Sequence, residues 1–248
     1  MNRVIANFKN ECDKLLSRKK YLVFLIIELV ICVGVVCMKL LSARISRGAF
    51  TMSNINTSLS VMSLFLEAII PFISIMAVCE LFSGEFRDKT IRASLMRPCD
   101  RYKIFIGKVG AVFALAVVNM AAVMISSNAA DLIVTGRIAN LGYSIGAYVL
   151  DTIPMLVVIL MAVMINQFTK SSTMAMFLCI IIYAGLKIAG IHFSSLSGLM
   201  FTGFMQWHKI WLGGGMPYLA ASFKALLLIG YAMTFTAIGY YAFRFKES

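Results

Sequence analysis

The chain has 248 residues, 60% of them hydrophobic and 14% charged, with a mean hydropathy of +0.88. That is far from the composition of a water-soluble domain and reads as an integral membrane protein. Its formal charge of +12 does not point to nucleic acid, because the basic residues cluster beside apolar runs and form no stripe with interleaved aromatics; membrane topology accounts for them better.

Residues 3–18 come first. At about 100° per residue, Val4, Ile5, Phe8, Cys12, Leu15 and Leu16 share one arc, with Arg3, Asn7, Lys14, Ser17 and Arg18 opposite. This predicts a short basic amphipathic helix lying in the headgroup plane. The apolar run that follows is too long for a signal-peptide core, and neither a cleavage site nor a lipobox precedes Cys32.

A crossing helix needs about 20 mostly apolar residues. Six such runs occur, over 21–41, 59–82, 104–126, 144–166, 173–192 and 218–242, leaving no remainder for a soluble domain. The connections between them differ sharply in charge. The N-terminus to Lys20 holds six Lys or Arg residues, the 83–108 segment seven, the 167–172 turn Lys170 and the tail Arg244 and Lys246. The other side holds Lys39, Arg44, Arg47, Arg137 and Lys209. Sixteen against five places both termini and the 83–108 segment in the cytoplasm. Residues 193–217 are too polar and Gly-rich to span, and with Trp207 and Trp211 they predict one or two short helices at the outer interface.

Four charges share one depth. Glu67, Asp151, Lys187 and Lys224 lie roughly 7 to 12 Å from the outer ends of their helices, where an ionised group needs a partner or water. One reading is a paired or water-lined layer near the outer mouth of a path; the other is lysines snorkelling beside isolated acids. Glu28 is a fifth charge within an apolar run. Pro71 and Pro154 are placed to kink their helices, and Gly142 with Gly146 makes a small-xxx-small step.

Catalytic constellations are absent from the sequence: no phosphate loop, no H-E-x-x-H and no G-x-S-x-G. His192 and His208 have no carboxylate three or four residues away and read as interfacial polar residues. Cys12, Cys32, Cys37, Cys79, Cys99 and Cys179 form no C-x-x-C pair and read as small apolar residues or reduced thiols. A membrane enzyme built from dispersed residues, or a channel, remains as an alternative; neither would need an ATPase.

The segment 83–108, SGEFRDKTIRASLMRPCDRYKIFIGK, is therefore the likeliest place for function. Ser83 is placed to cap a helix over Glu85–Met96 that Pro98 stops. Phe82, Phe86 and Ala93 fall on one side of it and Ile91 and Leu95 on nearly the opposite one. Two apolar faces need two covers: the inner ends of the bundle, and a separate soluble partner.

The order Glu85, Arg87, Thr90, Ile91, Leu95, Pro98, Arg101, Ile104 and Gly107-Lys108 resembles the cytoplasmic signature of ABC-2 type permeases, the membrane subunits of one class of ATP-binding-cassette exporters. The resemblance implies an all-α fold of six transmembrane helices in a single domain over 1–248. It further implies an elbow helix over 1–20, a coupling-helix region over 83–103 and small outer helices over 193–217. Glu85, Phe86, Arg87, Thr90, Ile91, Leu95, Pro98 and Arg101 would be the residues that couple to the ATPase. It implies no cofactor on this chain, with ATP and magnesium held by cytoplasmic ABC ATPase subunits. A second permease copy or a paralogue would complete the transporter in the bacterial cytoplasmic membrane. Asp88-Lys89 and Cys99-Asp100 depart from the family's usual residues. The compact size is also similar to that of lantibiotic-immunity and bacitracin-resistance permeases.

Overall fold

The computed structural model describes residues 2–45, 57–84, 101–135, 141–169, 171–193, 198–213 and 217–246. Helix α1 spans Asn2–Leu16. It stops where the Ser17 hydroxyl donates to the Lys14 carbonyl at 3.0 Å, and α2 begins at once over Lys19–Ile45. Then come α3 (Thr57–Leu64), a π-helical turn (Phe65–Ile69) and α4 (Ile70–Phe82), which follow one another directly. The charged 83–108 segment, hereafter the island, leads into α5 (Arg101–Thr135), and α6 (Leu141–Gln167) and α7 (Ser172–His192) follow. A 3₁₀ turn over Phe201–Phe204 and the single turn α8 (His208–Trp211) precede α9 (Tyr218–Lys246).

Among the described residues, five helices are long and apolar enough to cross a membrane: Val61–Phe82, Arg101–Ala130, Leu141–Gln167, Ser172–His192 and Tyr218–Phe245. The first apolar run of the sequence falls on α2, whose 27 residues extend about 40 Å at 1.5 Å per residue. Several helices are longer than their apolar runs. Once a helix is nucleated, each further residue adds a backbone bond, so propagation continues into the charged flanks.

The π turn has a local cause. Pro71, the second residue of α4, has no N–H to give the carbonyl four residues back, and its ring crowds that carbonyl. The chain widens by one residue there, so that the Ile70 N–H reaches the Phe65 carbonyl.

Helix α6 is the axis of the bundle, in contact with α4, α5, α7 and α9. In its apolar stretch 67% of residues are buried, against 11% in α9, so α9 presents most of its surface to the surroundings. Helices α1 and α2 both lie against α5. At the α1 crossing a Cβ on Gly110 would stand 3.2 Å from the Phe8 ring, so glycine there leaves room for that ring, whereas one on Gly107 would make an ordinary contact with Asn7 at 3.6 Å. Leu15 is buried at this interface, with Phe8 and Cys12 packed alongside, while Ile5 and Leu16 of the predicted apolar arc are exposed. Gly146 lies under the Leu212 side chain of the segment between α8 and α9, whereas Gly142 faces open space, so this glycine step does not bring two long helices together. At the end of the bundle next to residues 83–100, Phe82, Phe105 and Phe243, from α4, α5 and α9, pack at centroid distances of 5.7 to 6.0 Å.

Candidate functional site at the two ends of the helix bundle

The island's ends are built into the bundle. A helix C-terminus leaves carbonyls short of intrahelical donors, and two carbonyls in the last turn of α4 receive side chains from elsewhere, the Cys79 carbonyl in addition to the Ser83 N–H. Lys108 of α5 donates to the Leu81 carbonyl at 2.8 Å, and Ser172 at the start of α7 donates to the Cys79 carbonyl at 3.1 Å. Lys108 is 3% exposed, and its ammonium also lies 5.6 Å from the centre of the Phe82 ring. A cation at the negative end of a helix dipole, with an aromatic face beside it, is a favourable place for a buried charge. One residue further on, the Ser83 hydroxyl donates to Asn166 Oδ1 of α6 at 2.7 Å. On the return side Arg101, the first residue of α5, donates to the Arg244 carbonyl near the end of α9 at 2.8 Å. Glu85, Phe86, Arg87, Thr90, Ile91, Leu95 and Pro98 lie outside the described residues, so of the proposed coupling residues only Arg101 has a described position.

A second contact at this end joins the turn between α1 and α2 to the same helix. Glu80, in the last turn of α4, accepts from Arg18 at 2.9 Å and from the Tyr21 hydroxyl at 2.8 Å on one oxygen, while its other oxygen pairs with Lys20. The turn between α1 and α2 is thus held against α4. Within α1, burial first and then the charges of Asp13 and Glu11 push the Cys12 thiol up from its ordinary value.

At the opposite end the four charges of the predicted layer separate into two groups. Glu67 Oε2 pairs with Lys187 at 3.1 Å, and Gln206 Nε2 donates to its Oε1 at 2.5 Å. The Glu67 carbonyl, the one Pro71 cannot serve, accepts from the Tyr183 hydroxyl at 2.9 Å and from Lys187 at 3.3 Å. Lys224 sits 5.5 Å from the centre of the Phe204 ring. These three residues line one cavity of about 500 Å³ together with Thr202, Gln206 and Lys209. Asp151 is elsewhere: fully buried, it accepts from the His208 backbone N–H at 2.7 Å and lies 2.7 Å from His208 Nδ1. Asp151 therefore engages His208 and not Lys187. His208 is itself buried and not an interfacial side chain. Trp207 is 2% exposed and packs on Phe204, whereas Trp211 is 43% exposed; only the second has the surface an interfacial tryptophan needs.

A family model for ABC-2 family transporter proteins matches residues 7–186. The chain belongs to that family. A permease of the ABC-2 family is a multi-pass membrane subunit of an ABC transporter and works with an ABC ATPase. The match runs from α1 into α7 and includes the whole island. No curated protein gave a significant match to the chain.

Two features of this ABC-2 permease escaped the sequence reading. Glu80 closes an apolar run and gives no periodic signal; its nearest clue is an acid at the inner end of a helix facing the most basic stretch of the chain. The Asp151–His208 contact joins residues 57 positions apart, a separation that inspection of i±3 and i±4 neighbours cannot detect. The motif's Gly107-Lys108 has a physical reading as well: the glycine packs against α1 at Asn7 and Phe8, and the lysine holds the end of α4.

Proposed function

We propose that this ABC-2 chain is the non-catalytic permease of an exporter in the bacterial cytoplasmic membrane, moving a drug, peptide or lipid-like substrate outward. In this reading six helices cross, with α2 as the first, and both termini and the 83–108 island lie in the cytoplasm. The island's helix over Glu85–Met96 docks on a separate ATPase subunit that carries ATP and magnesium. A second permease copy or a paralogue completes the path, because six helices of this length are too few to enclose one. The narrower lantibiotic-immunity reading has only length and layout behind it.

The observation that carries the coupling reading is the Lys108 contact with Leu81. It joins the helix entering the island to the helix leaving it. A displacement of the island then moves α4 and α5 as a pair. Helix α4 extends from that contact up to the π turn at Glu67, so inner movement has a packed route to the outer cavity.

The test is affinity purification of the full chain from its own cell membrane in mild detergent. The expected result is a copurifying ATPase of the size of a single nucleotide-binding subunit, lost on Glu85→Arg while the permease remains inserted. A stable permease that purifies with no such ATPase overturns the reading and favours a channel or a membrane enzyme.

A further inference from the structure

The outer cavity carries an excess of positive charge and opens beside an apolar groove. Three ammonium groups, Lys187, Lys209 and Lys224, line it against the single carboxylate of Glu67, and that carboxylate is already engaged by Lys187 and Gln206. Thr202 also lines it, is 4% exposed, and has a buried hydroxyl without a hydrogen-bond partner. A buried hydroxyl normally has one. Next to this cavity is a second of about 360 Å³, which shares Glu67, Lys187 and Ile191 and is otherwise lined by apolar groups such as Phe72, Ile180, Ala184 and Ile188. The two meet at the Glu67–Lys187 pair.

We propose that the joined cavities bind an anionic amphiphile, a lipid-like molecule whose phosphate or carboxylate head sits among Lys209, Lys224 and Thr202 and whose aliphatic tail lies in the groove between α4 and α7. The argument is complementarity on both sides of one junction. A head of one or two negative charges neutralises the excess cations and gives the Thr202 hydroxyl an acceptor. A tail in the groove packs against the apolar side chains of α4 and α7 that line it. A zwitterionic head brings a further cation into a site already rich in them, and a cationic peptide would meet like charge. Thr202 and Lys209 come from the segment between α7 and α9 and Lys224 from α9, whereas Glu67 and the groove residues Phe72, Ile180 and Ala184 lie within the residues that match the family model. Placing it in the outer leaflet rests on the topology proposed above; binding does not, and it requires no ATPase.

The chain's two tryptophans report on this site, since Trp207 packs on Phe204, a lining residue. The full chain is placed in phosphatidylcholine nanodiscs, into which phosphatidylglycerol or phosphatidylcholine brominated high on the acyl chains is titrated while tryptophan emission is read. Preferential quenching by the phosphatidylglycerol, by about fivefold in apparent affinity, is expected. Lys209→Gln with Lys224→Gln, which leaves the Glu67–Lys187 pair intact, should bring the two lipids to parity, and the corresponding Arg double variant should keep the preference. Ala184→Phe, filling the groove, should weaken binding of the anionic lipid. Equal quenching by the two lipids in the unaltered chain, or an unchanged preference in the Gln double variant, overturns the proposal. So does relief of quenching by inorganic phosphate alone, which would mark a free-anion site with no part for the tail. Because no ATPase is present, this result stands apart from the copurification test.

Discussion

The Tyr183 hydroxyl donates at 2.9 Å to the backbone carbonyl of Glu67, the carbonyl that the ring of Pro71, four residues on, deprives of its helical donor. An irregularity in one membrane helix is thereby satisfied by a side chain of another, as a buried backbone group in a bilayer requires. If that is its role, Tyr183→Phe should destabilise the chain by about 0.6–1 kcal/mol, the range for an interhelical hydrogen bond, seen as a drop of roughly 2–4 °C in thermal unfolding in detergent. On a Pro71→Ala background, where the helix regains its own donor, the same change should be close to neutral. An equal loss in both backgrounds would show that the hydroxyl does something other than serve this carbonyl.

Lys108 offers a way to separate docking from transmission. Lys108→Met removes the donor to Leu81 and leaves the island's surface residues untouched. The ATPase should still copurify, and transport should fall by about 2- to 30-fold, the span of a coupling change of 0.5–2 kcal/mol. Loss of copurification equal to that of Glu85→Arg would instead make Lys108 part of the docking surface.

Glu80→Ala removes the acceptor shared by Arg18, Lys20 and Tyr21. For a partly exposed network of this kind the cost is about 1 kcal/mol or less, so the fold should survive while the elbow opens more often. Cys12 reports the opening: its thiol is half-buried and held up from its ordinary pKa by burial, Asp13 and Glu11. Its alkylation, followed by mass spectrometry of the N-terminal peptide, should accelerate by up to about fivefold. No acceleration would mean that the packing of α1 on α5 around Phe8 and Gly110 holds the elbow by itself.

Asp151 and His208 should behave as a unit. Asp151→Ala leaves the buried His208 backbone N–H without its acceptor and His208 Nδ1 without its partner, and should cost about 1.5–3 kcal/mol. Asp151→Asn keeps a carbonyl oxygen for the His208 backbone N–H and should cost less. His208→Gln combined with Asp151→Ala should cost less than the sum of the two single changes, measured as thermal unfolding. Additive losses would indicate that the two residues act separately.

Composition and spacing were enough to read a membrane bundle, the places of its long helices, the charged island and, through that island's motif, the family. These follow from rules acting along the chain: an apolar run of sufficient length stays in lipid, a basic stretch stays in water, and a proline interrupts its own helix. The sequence also placed Glu67, Asp151, Lys187 and Lys224 at one depth, because depth depends only on distance along a helix. Which of them meet is a different quantity. It depends on the rotation of each helix about its axis and on which neighbour it packs against, and nothing local encodes either. Tertiary packing joined Glu67 to Lys187, turned Asp151 inward to His208, brought the buried Lys108 to the last turn of α4 and clasped Glu80 to the α1–α2 turn.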